Sequence, residues 1–310
     1  MIYALYSLFS TQLFTMCDMQ QLIAKADVLV EALPYIQKFQ GQSILVKFGG
    51  SAMEEPAVVQ GALRDLAFLA AAGLQPLLVH GGGKAISAEL KKYGIEPLFI
   101  NGLRYTCEKT IKVVDQVLHE KINRELLRFL QQDCGAEAAA VSGKNVLRCE
   151  RISTPDLETG QPLDLGYVGR VVNVDTEQLG WILKRRQIPV ITPLACDMNG
   201  QAYNINADMA ACVIAAQMKV CKLVFLSDVP GVLQDPEDPS SLISSIYCEE
   251  IPEMARRGSI SGGMLPKLES AAQAIAEGVG KVHLIDGRLK HALLLEIFTD
   301  QGIGTQILKK

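Results

Sequence analysis

The stretch Ser43-Ile44-Leu45-Val46-Lys47-Phe48-Gly49-Gly50-Ser51 decides how the rest of this chain is read. Ile44, Leu45 and Val46 form the short apolar run of a buried strand. A lysine that closes such a strand is costly to bury unless a partner meets it. The two glycines after it free the backbone to turn sharply and to approach a ligand closely. Two readings are open here. One is a lysine snorkelling to solvent above an ordinary glycine turn. The other is a strand end that brings an ammonium and backbone N–H groups to one point, as an anion and above all a phosphate requires.

Working outward, the same pattern recurs. Glu54–Ala72 is expected to be a helix stopped by Gly73. Gln75-Pro-Leu-Leu-Val-His80 is a second strand, closed by Gly81-Gly82-Gly83, and Lys84–Tyr93 a second helix. Further helices are expected at Glu108–Gln132, Thr176–Arg186, Ala207–Met218, Pro252–Arg257, Pro266–Glu277 and Ala292–Phe298. Strands are expected at Ala136–Val141, Ile188–Ile191, Lys222–Leu226 and Lys281–Ile285, with a last short one ending at Ile307. Strand, glycines, helix and strand in alternation predict an α/β fold with a parallel sheet. The turn-rich Val146–Val174 reads as hairpin structure, a flap over a site. Upstream, Gln20–Phe39 has helical apolar spacing through Leu22, Ala26, Leu29 and Leu33, with a kink or stop expected at Pro34.

The chain has 310 residues, is 49% hydrophobic and carries a net charge of −4, enough for one large or two moderate domains. No basic run tracks a nucleic-acid backbone, so nucleic acid is excluded as a partner. The eight cysteines are scattered without a CxxC pair and read as reduced thiols of a cytoplasmic protein, with no metal site among them. Met1–Met16 is apolar and uncharged, too short to span a bilayer and without a positive n-region. It reads as a frayed or mis-started terminus, with Met16 or Met19 as alternative starts, and no membrane is expected as partner.

Three constellations carry chemistry. Both glycine clusters follow parallel strands, so both should face the crevice at the strands' C-terminal edge. Neither matches a dinucleotide fingerprint or a P-loop, since Gly83-Lys84 is followed by Ala85. Tyr203-Asn204-Ile205-Asn206-Ala207-Asp208 sets three short polar side chains in alternation at the start of a helix. Helix capping would explain one of them; three suggest a second use, holding a substrate or orienting a lysine. Ser261-Gly262-Gly263-Met264-Leu265-Pro266-Lys267 again brings glycines and a lysine to a helix N-terminus, where a cation opposes the dipole unless an anion lies between. Two such lysines, glycine amides and an organising aspartate suit phosphoryl transfer, which needs charge neutralised at donor, acceptor and transferring group.

From Lys25 to Ile307, about nine tenths of its length, the chain resembles the N-acetylglutamate kinase family of the amino-acid kinase superfamily. The resemblance is carried by Lys47-Phe-Gly-Gly50, Val79-His-Gly-Gly-Gly83, Asn101-Gly-Leu-Arg104, Asn204-Ile-Asn-Ala-Asp208, Leu226-Ser-Asp-Val229, Gly262-Gly-Met-Leu-Pro-Lys267 and Leu294-Leu-Glu-Ile-Phe-Thr299. It implies a three-layer αβα sandwich around a mainly parallel sheet, and ATP-dependent phosphorylation of the γ-carboxylate of N-acetyl-L-glutamate in arginine biosynthesis. Lys47 and Lys267 would stabilise the transition state and Asp208 would orient them. Gly49, Gly50 and Gly82 would give N–H groups to the phosphoryl, and Gly81 and Gly82 would touch the substrate. Arg104 and Asn204 would hold the α-carboxylate, a task for a planar guanidinium fork; the plain alternative for Arg104 is a surface salt bridge. Asp228, Gly231, Leu233, Ser259 and Ser261 would border ATP, with Mg²⁺ carried by the nucleotide.

The resemblance also implies an acyl-substrate lobe at 41–195, a nucleotide lobe at 196–310, and an N-terminal segment 1–40 whose helix interlaces with a copy in another dimer. That helix is a mark of the arginine-inhibited, hexameric branch, a trimer of dimers. Tyr35, His283, Glu296 and Gly302 fall where that branch binds L-arginine; Glu296 also reads as a solvated helix residue. Two departures stand out: Lys84 replaces the branch's usual proline, and Met1–Met16 has no counterpart. Rival functions are a sibling kinase for aspartate or carrier-bound aminoadipate, and a non-catalytic arginine sensor.

Overall fold

The structure is a computed structural model and describes residues 16–156, 159–235, 237–260, 263–299 and 302–310. The expected terminal stretch Met1–Met16 therefore lies, up to residue 15, outside the described residues, as does Ser261. The chain divides into two compact units, Met1–Phe39 and Gln40–Lys310. The described part of the first is a helix, Met16–Phe39, which does not stop at Pro34 but continues to its end with Leu22, Leu29 and Leu33 exposed.

The second unit contains the strands β1 (Ser43–Phe48), β2 (Gln75–His80), the small hairpin β3 (Phe99–Ile100) and β4 (Leu103–Arg104), β5 (Ala138–Val141), β6 (Leu147–Pro155) and β7 (Pro162–Val174). They are followed by β8 (Ile188–Ile191), β9 (Leu194–Cys196), β10 (Ala202–Ile205), β11 (Lys222–Ser227), β12 (Ser245–Tyr247), β13 (Lys281–Asp286) and β14 (Thr305–Leu308). Eight of them form one sheet in the order β12-β14-β13-β11-β1-β2-β8-β5. It is parallel except where β14 meets β13, so β12 and β14 run against the other six. Helices cover it, giving the expected αβα sandwich.

Chain order explains where the crevice lies. From β1 the chain crosses to β2 on one side and only much later to β11 on the other. Crossovers in opposite directions leave a gap at the C-terminal ends of β1, β2 and β11, where ligands bind in such sheets. β1 earns its central place by composition, since Ile44, Leu45 and Phe48 are completely buried. Each such side chain contributes about 2–3 kcal/mol of burial.

Val146–Val174 is a hairpin, as expected, but not a free flap. β6 and β7 close with β9 and β10 into a four-stranded barrel. Val171 and Tyr203 of that barrel share one apolar cluster with Leu45, Leu77 and Ile214. Strands β9 and β12 escape a periodicity reading because they are three residues long, and β10 because Asn204 interrupts its short apolar run. The helix expected over Glu108–Gln132 is α-helical at Glu108–Gln116 and Arg124–Arg128, with π-helical turns at Val117–Asn123 and Phe129–Asp133.

Candidate active site

Lys47 is the fifth residue of β1, only 8% exposed, and its ammonium lies 2.7 Å from Asp208 Oδ1. The other carboxylate oxygen of Asp208 is 3.6 Å from Lys267 Nζ. One half-buried acid thus faces two cations, and the set keeps a net positive charge. Burial alone would raise the Asp208 carboxyl, but the charges and hydrogen bonds of Lys47 and Lys267 outweigh it and hold the pKa below the ordinary value. Asp208 is free for this because it does not cap its helix. Asn206 does, accepting from the N–H groups of Asp208 at 2.9 Å and Met209 at 3.2 Å.

Gly49 leaves room for Lys47. A Cβ at residue 49 would overlap the end of the Lys47 side chain, so any larger residue there would push the ammonium from its present place beside Asp208. Gly50 has φ +74°, where a side chain is strained, and lies against Asp228. Asp228 in turn accepts from Ser51 Oγ at 2.6 Å, and this hydrogen bond above all lowers its pKa.

Lys47, Gly50, Gly81, Gly82, Arg104, Asn204 and Asp208 line one cavity of about 220 Å³. Arg104 is buried, so it is not a surface salt bridge. Its Nη2 donates to Gly83 O at 2.7 Å and Ser87 Oγ at 2.9 Å, and its guanidinium lies 4.6 Å from the Phe99 ring centroid. Its Nη1 is buried without a hydrogen-bond partner, a donor left for an anion. Asn204 is tied to the same corner, donating to Thr106 Oγ1 at 3.2 Å, while Thr106 donates to Arg104 O at 2.8 Å. A larger, mostly apolar cavity of about 720 Å³ shares Gly50, Gly82, Gly83 and Phe99 but none of the lysine–aspartate cluster. Lys84 sits in its wall and pairs with Glu54.

The remaining expected residues are placed less evenly. Gly231, at φ +147°, packs so closely on β14 that a Cβ would lie 2.5 Å from Thr305 Oγ1. Leu233 bridges to Leu242, and Ser259 N–H donates to Met254 O at 3.1 Å. His283, Glu296 and Gly302 form one cluster: His283 Nδ1 lies 2.5 Å from Glu296 Oε1, Ile303 N–H donates to Oε2 at 2.8 Å, and Gly302 abuts the carboxylate. Glu296 is buried, not solvated. Tyr35 belongs to the other unit. Sequence reasoning passed over His80, Asn123, Phe99 and Thr106; for His80 the available signal was a polar residue ending a strand directly before glycines.

The sequence profile described as the amino acid kinase family matches residues 42–286. This chain belongs to the amino acid kinase family. Within the family it is 47% identical to an acetylglutamate kinase of Caldanaerobacter subterraneus over 93% of this chain and 94% of that one. An acetylglutamate kinase of Akkermansia muciniphila is 43% identical over 94% and 97%. Among solved structures, N-acetylglutamate synthase from Neisseria gonorrhoeae complexed with coenzyme A and L-arginine superposes with a TM-score of 0.75 at 25% identity. That likeness covers 90% of this chain but 64% of the synthase. Giardia carbamate kinase shares the fold alone, at TM-score 0.62 and 14% identity.

Proposed function

We propose that this chain is an acetylglutamate kinase, transferring the γ-phosphoryl of ATP to the γ-carboxylate of N-acetyl-L-glutamate in arginine biosynthesis. The observation that carries the reading is Asp208 shared by Lys47 and Lys267 beside the buried, half-satisfied Arg104. The identity to named acetylglutamate kinases over nearly the whole chain supports it.

The carboxylate oxygen attacks the γ-phosphorus, one O–P bond forms, and the bond to the β–γ bridging oxygen breaks as ADP leaves. The nucleophile is already ionised at neutral pH, so no general base is required. Catalysis then rests on positioning and on charge. Arg104 and Asn204 hold the α-carboxylate. Lys47, with N–H groups of Gly49, Gly50 and Gly82, faces the transferring phosphoryl. Lys267 faces the nucleotide phosphates, which carry Mg²⁺, and Asp208 keeps both ammonium groups in place. The nucleotide lies along 196–310, near Asp228, Gly231, Leu233, Ser259 and Ser261, and the acyl substrate along 41–195.

L-arginine acts as feedback inhibitor at Tyr35, His283, Glu296 and Gly302, and the helix Met16–Phe39 pairs with a second copy to give a cytoplasmic hexamer of three dimers. The exposed Leu22, Leu29 and Leu33 support that pairing. The likeness to a synthase whose structure holds L-arginine supports the arginine site rather than the pairing.

ADP release measured side by side with acetylglutamate, aspartate and aminoadipate tests the activity. Acetylglutamate should lead; a preference for another acid selects a sibling kinase, and no turnover with any selects a sensor. A chain truncated to begin near Gln40 should remain active yet drop from hexamer to dimer by light scattering and lose arginine inhibition.

A further inference from the structure

His80 and Asn123 have no part in the chemistry above, yet they are among the most deeply buried polar side chains, at 0% and 1% exposure. His80 ends β2 directly before Gly81-Gly82-Gly83, and Asn123 ends the π-helical turn Val117–Asn123. His80 Nδ1 lies 2.9 Å from Gly81 O, and its Nε2 lies 3.2 Å from Asn123 Nδ2. Asn123 Nδ2 also donates to Val190 O of β8 at 2.8 Å. A carbonyl can only accept, so the Val190 contact fixes which end of the amide is nitrogen. Nδ2 can only donate, so His80 Nε2 must be the acceptor. The proton is thereby placed on Nδ1, which donates to Gly81 O.

The consequence reaches the site through one peptide unit. In a planar trans peptide the carbonyl and the following N–H point in opposite directions. Gly81 O is held toward the imidazole, and Gly81 N–H is occupied by Phe48 O at 2.7 Å. Gly82 N–H therefore points away from His80, and Gly82 lines the cavity with Lys47 and Arg104. The same π-helical turn presses on the loop from its other side. A Cβ on Gly82 would lie 2.7 Å from Leu118 and 2.8 Å from Ile122. A π-turn brings residues four and five apart onto one side, which lets Leu118, Ile122 and Asn123 act together.

We infer that His80 is a positioning residue, a neutral imidazole that Asn123 locks as the Nδ1–H tautomer so that it fixes the Gly81–Gly82 peptide and aims Gly82 N–H at the transferring phosphoryl. This rests on the kinase reading for the identity of the group at Gly82, though not for the hydrogen-bond arrangement. A fixed backbone donor needs no reorganisation as charge develops, and in other enzymes removing one such donor costs about 10²–10³ in kcat.

The test pairs two substitutions with one spectrum. An asparagine side chain reaches roughly where Nδ1 lies, and a glutamine roughly where Nε2 lies. His80→Asn should keep the bond to Gly81 O and hold kcat within about threefold, whereas His80→Gln should keep the Asn123 side yet lose about tenfold or more in kcat. KM for both substrates should move little in either variant. Histidine ¹⁵N–¹H correlation on the full chain, which has four histidines, should show His80 protonated at Nδ1 and neutral at pH 6. A proton on Nε2, titration near the ordinary histidine value, or kcat in His80→Gln equal to that in His80→Asn at equal melting temperature would overturn the inference. Absence of kinase turnover in the unmodified chain would instead sink the kinase reading, and the spectrum would still decide the tautomer.

Discussion

The two glycine loops lie side by side on adjacent strands, with Lys47 beside Val79 and Phe48 beside His80, yet they work in opposite ways. The loop after β1 supplies charge. Its lysine folds over Gly49 to meet Asp208, and the glycine is there to make room for the ammonium. The loop after β2 supplies a dipole. Its histidine is buried and neutral, pulled by burial to a pKa of about 4, and Gly82 is there because Leu118 and Ile122 press on it. One pattern, a polar residue followed by glycines at a strand end, thus serves either a paired cation or a fixed N–H. Which it becomes depends on what lies behind the loop: an acid shared with a second cation, or the underside of a helix.

The comparison can be broken most sharply at the charge. Lys47→Ala and Lys267→Ala should each lower kcat by about 10³-fold or more, since one positioned cation in phosphoryl transfer carries that much. Steady-state turnover beside a melting curve checks this; near-normal kcat with a lowered melting temperature would make the lysine structural. Gly49→Ala should come next. Its methyl displaces the Lys47 ammonium without touching backbone, so kcat should fall about tenfold to a hundredfold in a chain that still folds. Normal turnover there would show that Lys47 does not need its path across residue 49.

Arg104→Lys should be milder and fall on binding. It keeps the charge and loses the fork, so KM for the acid should rise about tenfold while KM for ATP stays put. Equal changes in both constants would remove Arg104 from the acid's site. For the neutral loop the effect to measure here is not on turnover but on the pH dependence of stability. His80 titrates near 4 when folded and near 6.5 when unfolded, so the unfolded state binds its proton first as pH falls. Its contribution is intact above about pH 6.5 and is lost progressively toward pH 4, on the order of 3 kcal/mol in all. Urea unfolding between pH 7 and 4.5 should show that slope, and His80→Asn should flatten it.

Much of this chain could be read in one dimension. Apolar strand runs closed by glycines gave the α/β alternation because a strand buried on both faces needs a continuous apolar stretch, and a parallel crossover needs a helix. Lys47 and Lys267 were legible for a related reason: a cation beside glycines at a buried strand end or a helix start has no good local partner, so the misfit itself is the signal. Arg104, Asn204 and Asp208 were legible only as parts of motifs. Asn206 and Asp208 show the limit. Either could cap the helix by spacing alone, and only the fold assigns the cap to Asn206 and leaves Asp208 to the lysines.

The sequence by itself determined which strands are buried, roughly where most helices lie, and which residues bear charge that local structure cannot satisfy. These are properties of neighbours in the chain, set by periodicity and backbone freedom. Tertiary structure alone decided that β6, β7, β9 and β10 close into a barrel and that β12 and β14 run backwards. It also decided that Asn123 reaches His80 from 43 residues away. Those outcomes depend on pairings between distant segments, whose hydrogen bonds leave no local trace. A buried amide or imidazole is tolerated only where such a distant partner meets it.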